Sequence, residues 1–285
     1  MVEKKIVNES REIAYYIAGN KAAEKALFFF NGLYVGNTSW IKQQRYKYFS
    51  KNYRMVFVDY PGMGNSKEFI DEKYSFDDIA DCIKEILVLE KIEKCSMVGF
   101  SIGGMLALWF YHRYPECFEN LVLLNTGAGL HDELNERIQY IMDQLKKEVD
   151  MEGLLREVYP FHHAPDYLEK IRDIENRVIE GYVKFNKDDK TLLKFFDAIG
   201  TCLDELDAVP EEIKVPTLVI GADGDKIFPC SIQEKLAERI SNSQYCLIKN
   251  CGHSSSVEKY EEVNKAIEMF LEDEYMRGKN EQTRK

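Results

Sequence analysis

The 285-residue sequence contains no run of lysines and arginines that could track a phosphate backbone. Acidic side chains outnumber basic ones, 49 to 38, for a formal net charge of −11. Nucleic acid is therefore not an expected partner, and the acidity, spread along the chain, serves solubility. No apolar stretch approaches the roughly 20 residues that a membrane-spanning helix requires, so no membrane partner is expected either. The first residues, Met1-Val2-Glu3-Lys4-Lys5, have no apolar core region behind them, unlike a secretory leader. There is no C-x-x-C pair, and the cysteines number seven, an odd count. Free thiols in a reducing cytosol, and hence a cytoplasmic location, are the expectation. Internal repeats and low-complexity segments are absent too. With 45% hydrophobic and 31% charged residues, the composition is that of a globular protein. The length suits one large α/β domain with an insertion, or two small domains.

Short apolar runs alternate with helical patterns over the first third. Arg11 to Ala18, Lys25 to Phe30, Arg54 to Val58, Ser96 to Gly99 and Leu121 to Asn125 read as strands. Thr38 to Phe49 has a helical pattern, and Ser75-Phe76-Asp77-Asp78 opens a helix to about Lys91, with Ser75 as N-cap and Asp78 in the capping-box position. Unbroken apolar strands alternating with helices imply an α/β fold with a mostly parallel central sheet covered on both faces. From about Thr126 to Glu212 strand signals nearly vanish. Helices are expected instead over His131 to Lys147, Met151 to Val158, Tyr167 to Phe185 and Lys190 to Leu203, punctuated by Pro160, Pro165 and Gly181. This segment, 126–212, reads as a helical cap inserted into a core made of 1–125 and 213–285. Strands at Pro216 to Gly221 and Tyr245 to Ile248, with helices over Ser231 to Ile240 and Val257 to Leu271, then resume the alternation, and the charged tail from Glu272 is expected to fray.

The most informative segment is Gly99-Phe100-Ser101-Ile102-Gly103, a G-x-S-x-G between a strand and a helix. So sharp a turn strains the serine's backbone and exposes its hydroxyl beside a helix N-terminus. Small residues at minus two and plus two avoid clashes across the turn. A serine hydroxyl needs a base, and the base needs an orienting carboxylate. Gly221-Ala222-Asp223-Gly224-Asp225 follows one strand and Cys251-Gly252-His253 follows the last, so acid and histidine come after the serine in chain order at one sheet edge.

These features, together with the Asn31-Gly32 turn, the Asp59-x-Pro61-Gly62-x-Gly64-x-Ser66 loop, the Val215 to Gly221 strand, the Asp225-to-Pro229 interval and Gly252-His253 followed by Glu258, resemble the α/β-hydrolase fold family over nearly the whole chain. The resemblance is to the group containing esterases, lactonases, haloperoxidase-like enzymes and carbon–carbon hydrolases. It implies Ser101 as nucleophile, His253 as general base and acid, and Asp225 as orienting carboxylate. Asp223 competes for the last role; the distance to Pro229 favours Asp225. The backbone N–H groups of Leu33 and Ile102 would form the oxyanion hole. Asn31 stands where the family usually has histidine, and local hydrogen bonding by its amide is expected to preserve the turn. No metal or organic cofactor is implied. The partner is a small-molecule acyl substrate, an ester, thioester or lactone; carbon–carbon cleavage, acyl transfer or ligand binding without turnover are the alternatives.

Other conspicuous residues have plainer readings. His162-His163 has no Cys or acid at metal-ligand spacing and reads as a solvated or pocket-rim pair. Cys251 reads as packing, Phe28-Phe29-Phe30 as core strand, Asp59 as a turn holder and His112 as helix surface. Tyr34, Trp40, Tyr159 and Phe161 are candidate pocket walls.

Overall fold

The computed structural model describes residues 1–7, 11–67, 69, 73–129, 132–147, 150–186 and 189–282; the side chains of 132–134, 137, 189 and 274–282 are outside the description. Eight strands form one sheet: β1 (Val2–Val7), β2 (Glu12–Gly19), β3 (Ala26–Phe30), β4 (Arg54–Val58), β5 (Cys95–Phe100), β6 (Phe118–Leu124), β7 (Thr217–Ala222) and β8 (Ser243–Ile248). Their order is β1-β2-β4-β3-β5-β6-β7-β8. Only β2 runs against the rest, pairing antiparallel with β1 and β4, while every other contact is parallel.

The unbroken apolar runs follow from having cover on both faces. In β3, Phe28 and Phe30 enter one core cluster and Leu27 and Phe29 enter the other, as strand alternation requires. The first cluster packs the helices Phe76–Leu89 and Ile102–Arg113 onto the sheet; the second packs Trp40, Phe49 and the C-terminal helix Tyr260–Gln282 onto the opposite face. The Ser75 capping box is formed, with Ser75 Oγ accepting the Asp78 N–H and Asp78 accepting the Ser75 N–H.

Several boundaries differ from the sequence reading. β1 is an additional strand; Lys and Glu hide it, because an edge strand needs only Ile6 buried and tolerates charge. The Thr38 to Phe49 pattern divides into a 3-10 turn, Asn37–Trp40, and two short helices, Ile41–Gln44 and Lys47–Asn52. Between β6 and β7 every described element is helical. The expected helix over Tyr167 to Phe185 is broken into Pro165–Ile171, a 3-10 turn at Arg172–Ile174, and Glu175–Asn186, and Gly181 lies inside the last piece. The expected start at His131 lies outside the described residues; the helix runs Asp132–Lys146. The tail backbone stays helical to Gln282. Among the described residues, no helix is long and apolar enough to cross a membrane.

Candidate active site

Five loops that follow parallel strands meet at the C-terminal edge of the sheet. After β5, Ser101 takes φ 55° and ψ −126°, a left-handed conformation that a non-glycine residue adopts only under constraint. Its neighbours show the constraint. A Cβ on Gly99 would lie 2.7 Å from the Gly103 carbonyl oxygen and the Gly104 Cα, across the turn. At Gly103 the obstacle is instead the end of β3, with the Asn31 and Phe30 carbonyl oxygens 2.3 and 2.4 Å away. One glycine thus closes the elbow, and the other lets the elbow helix approach the loop after β3.

Ser101 Oγ is 2.8 Å from His253 Nε2, and His253 Nδ1 is 2.9 and 3.1 Å from the two carboxylate oxygens of Asp225. All three residues are buried. A carboxylate only accepts, so Nδ1 carries the proton and Nε2 offers its lone pair to the serine hydroxyl. The Asp225 carboxylate is surrounded by donors. Oδ1 accepts the N–H groups of Ile227 (2.8 Å) and Phe228 (2.9 Å), and Oδ2 accepts Asn125 Nδ2 (3.0 Å) and Gln233 Nε2 (3.1 Å). Asp223 is exposed and accepts the Cys251 N–H instead, tying two loops together. The structure therefore brings Asp225, and not Asp223, to the imidazole. The imidazole lies against Phe100 and Phe228, whose ring centroids are 5.0 and 6.0 Å away.

Leu33 and Ile102 border the same space as Ser101. Ile102 is the first residue of its helix, where no intrahelical acceptor is available. Among the described residues, neither backbone N–H donates to a protein acceptor. Asn31 makes long-range bonds where local ones were expected. Its Nδ2 donates to the Val58 carbonyl (2.5 Å), its Oδ1 accepts the Trp40 indole N–H (2.8 Å), and its carbonyl accepts the Tyr60 hydroxyl (2.9 Å). The loop carrying Leu33 is thereby fixed to β4 and to the helical segment after β3.

Two adjoining hollows, of about 450 and 500 Å³, open onto Ser101 and share Leu33, Tyr34 and His162. The first is walled by Tyr159, Tyr182 and His253, the second by Met105, Phe196 and Phe228. Tyr34 lines both hollows and Tyr159 lines the first. Phe161, the third candidate wall, is 41% exposed and lines neither hollow. The segment Tyr159–His162 is a 3-10 turn, in which residues three apart share a face, so Tyr159 and His162 turn inward and Phe161 outward. Trp40 is also displaced, into the core beside Phe29 and Phe100.

His163 is buried and within 3.0 Å of Glu258, an acid brought by the fold rather than by nearby sequence. Among the described residues, no group of three or more His, Cys, Asp or Glu side chains could hold a metal. Asp59 is buried, accepts the Tyr16 hydroxyl (2.7 Å) and the Asn65 N–H (3.0 Å), and lines neither hollow, as a turn holder should. Burial pushes the Cys251 thiol well above its usual range, which leaves it inert at neutral pH. His112 lies half-exposed against Trp109 and Glu212. Asn125 and Gln233 escaped notice in the sequence, and Glu258 was marked only as a motif residue after His253, with no role. Asn125 offered a signal of its own, as a polar residue at the end of an apolar run on the same sheet edge; it has a φ of 47°, and its Oδ1 accepts the Ser255 hydroxyl.

A family model for the alpha/beta hydrolase fold matches residues 25–260. The chain is 25% identical over 263 residues to a 3-oxoadipate enol-lactonase of Acinetobacter baylyi, covering 90% of this chain and 92% of that protein. It is also 25% identical over 280 residues, covering 93% of each chain, to a Paraburkholderia phymatum 2-hydroxy-6-oxononadienedioate/2-hydroxy-6-oxononatrienedioate hydrolase. The crystal structure of the Burkholderia xenovorans enol-lactonase superposes with a TM-score of 0.84 at 22% identity, over 94% of this chain and 99% of that one. Strand order, elbow and the extent of the match agree: the chain is an enzyme of the alpha/beta hydrolase fold family.

Proposed function

We propose that the chain is a serine hydrolase acting on an uncharged ester, thioester or lactone of a small to medium acyl group. The carrying observation is the unbroken hydrogen-bonded line from Ser101 Oγ through His253 to Asp225. As Ser101 attacks the acyl carbonyl, His253 Nε2 takes the hydroxyl proton, and Asp225 stabilises the imidazolium and holds its orientation. The N–H groups of Leu33 and Ile102 receive the developing oxyanion; loss of one such donor typically costs ~3–4 kcal/mol in the transition state. The imidazolium then protonates the departing alcohol or thiol. Water, deprotonated by His253, attacks the acyl-enzyme and releases the acid. In this reading the helical segment between β6 and β7 is the cap, since Tyr159, His162 and Phe196 close the hollows from above Ser101.

The walls favour an uncharged substrate. Among the described residues, the two hollows are lined by no Lys, Arg, Asp or Glu. Lys42 and Arg177 lie further out, on a cleft of about 920 Å³ that shares Tyr34, Tyr159 and His163 with the first hollow. A substrate carboxylate taken into the hollows would lose its hydration with no Lys or Arg among the described lining residues to meet it. The dioate named for one relative and the oxoadipate named for another are therefore poor guides to this pocket. The expected result is that p-nitrophenyl hexanoate is cleaved at least about tenfold faster, in kcat/KM, than the mono-p-nitrophenyl ester of adipic acid, a factor of roughly 1.4 kcal/mol. Equal rates would overturn the uncharged-substrate assignment. A wild-type protein that neither cleaves esters nor reacts with a fluorophosphonate would overturn the hydrolase reading itself.

A further inference from the structure

Two buried titratable side chains take no part in the chemistry above. His163 and Glu258 have side chains only 3% and 2% exposed, and His163 Nδ1 lies 3.0 Å from Glu258 Oε1. His163 follows the 3-10 turn that lines the first hollow; Glu258 ends the short helix Ser255–Glu258, just beyond His253. The other oxygen of Glu258 accepts two backbone N–H groups, from Ala164 (3.1 Å) and from Gly252 (3.0 Å). On the far side of His253, the Ser254 N–H donates to the His162 carbonyl at 3.0 Å.

Both backbone neighbours of His253 are thus bonded to the segment between β6 and β7, one directly and one through the Glu258 carboxylate. The contact is close as well as bonded. A Cβ on Gly252 would lie 2.6 Å from the Ala164 nitrogen and 2.7–2.8 Å from the His163 backbone. The His163 ring is itself held between Tyr159 and Tyr167, with centroids 4.6 and 5.1 Å away. A carboxylate in so dry a place needs every oxygen met by a donor. His163 supplies the donor that the two backbone groups leave over.

We infer that His163 is a positioning residue for His253: through Glu258 it fixes the loop 251–254, and with it the reach of His253 Nε2 toward Ser101. The inference rests on the serine-hydrolase reading. Removing the His163 donor leaves Glu258 Oε1 unmet, so the carboxylate turns or draws in water and Gly252 loses its fixed partner. A displacement of about 1 Å at a reacting group can cost about 100-fold in rate.

The test uses p-nitrophenyl acetate, whose short acyl group keeps pocket contacts small, and the bimolecular rate of fluorophosphonate labelling. His163→Leu is expected to lower both about 10- to 100-fold and to move the pH midpoint of kcat/KM, which reports the free enzyme's base. His163→Asn, whose amide N–H can occupy the place of Nδ1–H, is expected to restore the labelling rate to within about threefold and to return the midpoint to its wild-type position. Should His163→Leu not fold, Glu258→Gln provides the same midpoint measurement. A His163→Leu or Glu258→Gln protein with wild-type labelling and an unmoved midpoint would falsify the inference. So would equal losses in the Leu and Asn variants, since packing alone would then explain them. Wild-type protein inert to both reagents would instead sink the hydrolase reading, a separate outcome.

Discussion

Ser101→Ala is expected to lower kcat for p-nitrophenyl hexanoate by roughly 10⁶-fold while leaving the protein folded, in line with the loss seen when a triad serine is deleted elsewhere. The size of the effect comes from what the residue does. In the proposed mechanism His253 can still accept a proton, and the amides of Leu33 and Ile102 can still meet negative charge, but no atom remains to form the acyl-enzyme. The residue left over should be the slow direct attack of water in a site that still binds and polarises the carbonyl. Intact-protein mass spectrometry gives a second reading: wild type gains one fluorophosphonate adduct and the variant gains none. Ser254→Ala is the control, because Ser254 lines the same hollow beside the imidazole without bonding to it. Turnover of the ester by Ser101→Ala protein at more than a few per cent of the wild-type rate would rule Ser101 out as nucleophile.

The second large effect is expected at Asp225. Asp225→Asn should reduce kcat about 10⁴-fold, because an amide in that place stabilises the wrong imidazole tautomer and cannot hold an imidazolium. The structure adds a cost to folding. Asp225 is met by five donors: the N–H groups of Ile227 and Phe228, the amides of Asn125 and Gln233, and His253 Nδ1. An asparagine turns one acceptor oxygen into a donor NH₂ facing donors, so stability is expected to drop by about 1–3 kcal/mol as well. Chemical denaturation measures that loss and stopped assays measure the rate. Asp223→Asn should stay within about threefold of wild type in rate, since Asp223 only accepts the Cys251 N–H at the surface. The reverse pattern, a dead Asp223 variant and an active Asp225 variant, would reassign the carboxylate.

How much of this was legible beforehand depended on whether the signal was local. The interior strands showed as apolar runs because both sides of the sheet are covered. β1 stayed hidden because an edge strand with one buried side chain carries no such run. The break at Arg172–Ile174 has no Pro or Gly to announce it, and none of its residues is buried. Ser101, Asp225 and His253 were legible because motif and chain order constrain them together. Asn125, Gln233, His163 and Glu258 come to the site only by folding. Glu258 and His163 lie 95 residues apart, a separation over which no spacing rule operates. Phe161 was misplaced because nothing in the sequence announces the 3-10 turn at Tyr159–His162, which turns Phe161 away from the face shared by Tyr159 and His162.

The left-handed backbone at Ser101 has a consequence for selection. Holding an L-residue there takes about 1–3 kcal/mol out of the folded state, a burden that glycine at the same place would largely lift. Thermal robustness and chemistry therefore pull this one codon in opposite directions. Variants screened for heat resistance alone should drift toward glycine at the elbow and lose the proposed nucleophile without loss of fold. The serine persists only where its reaction is itself under selection.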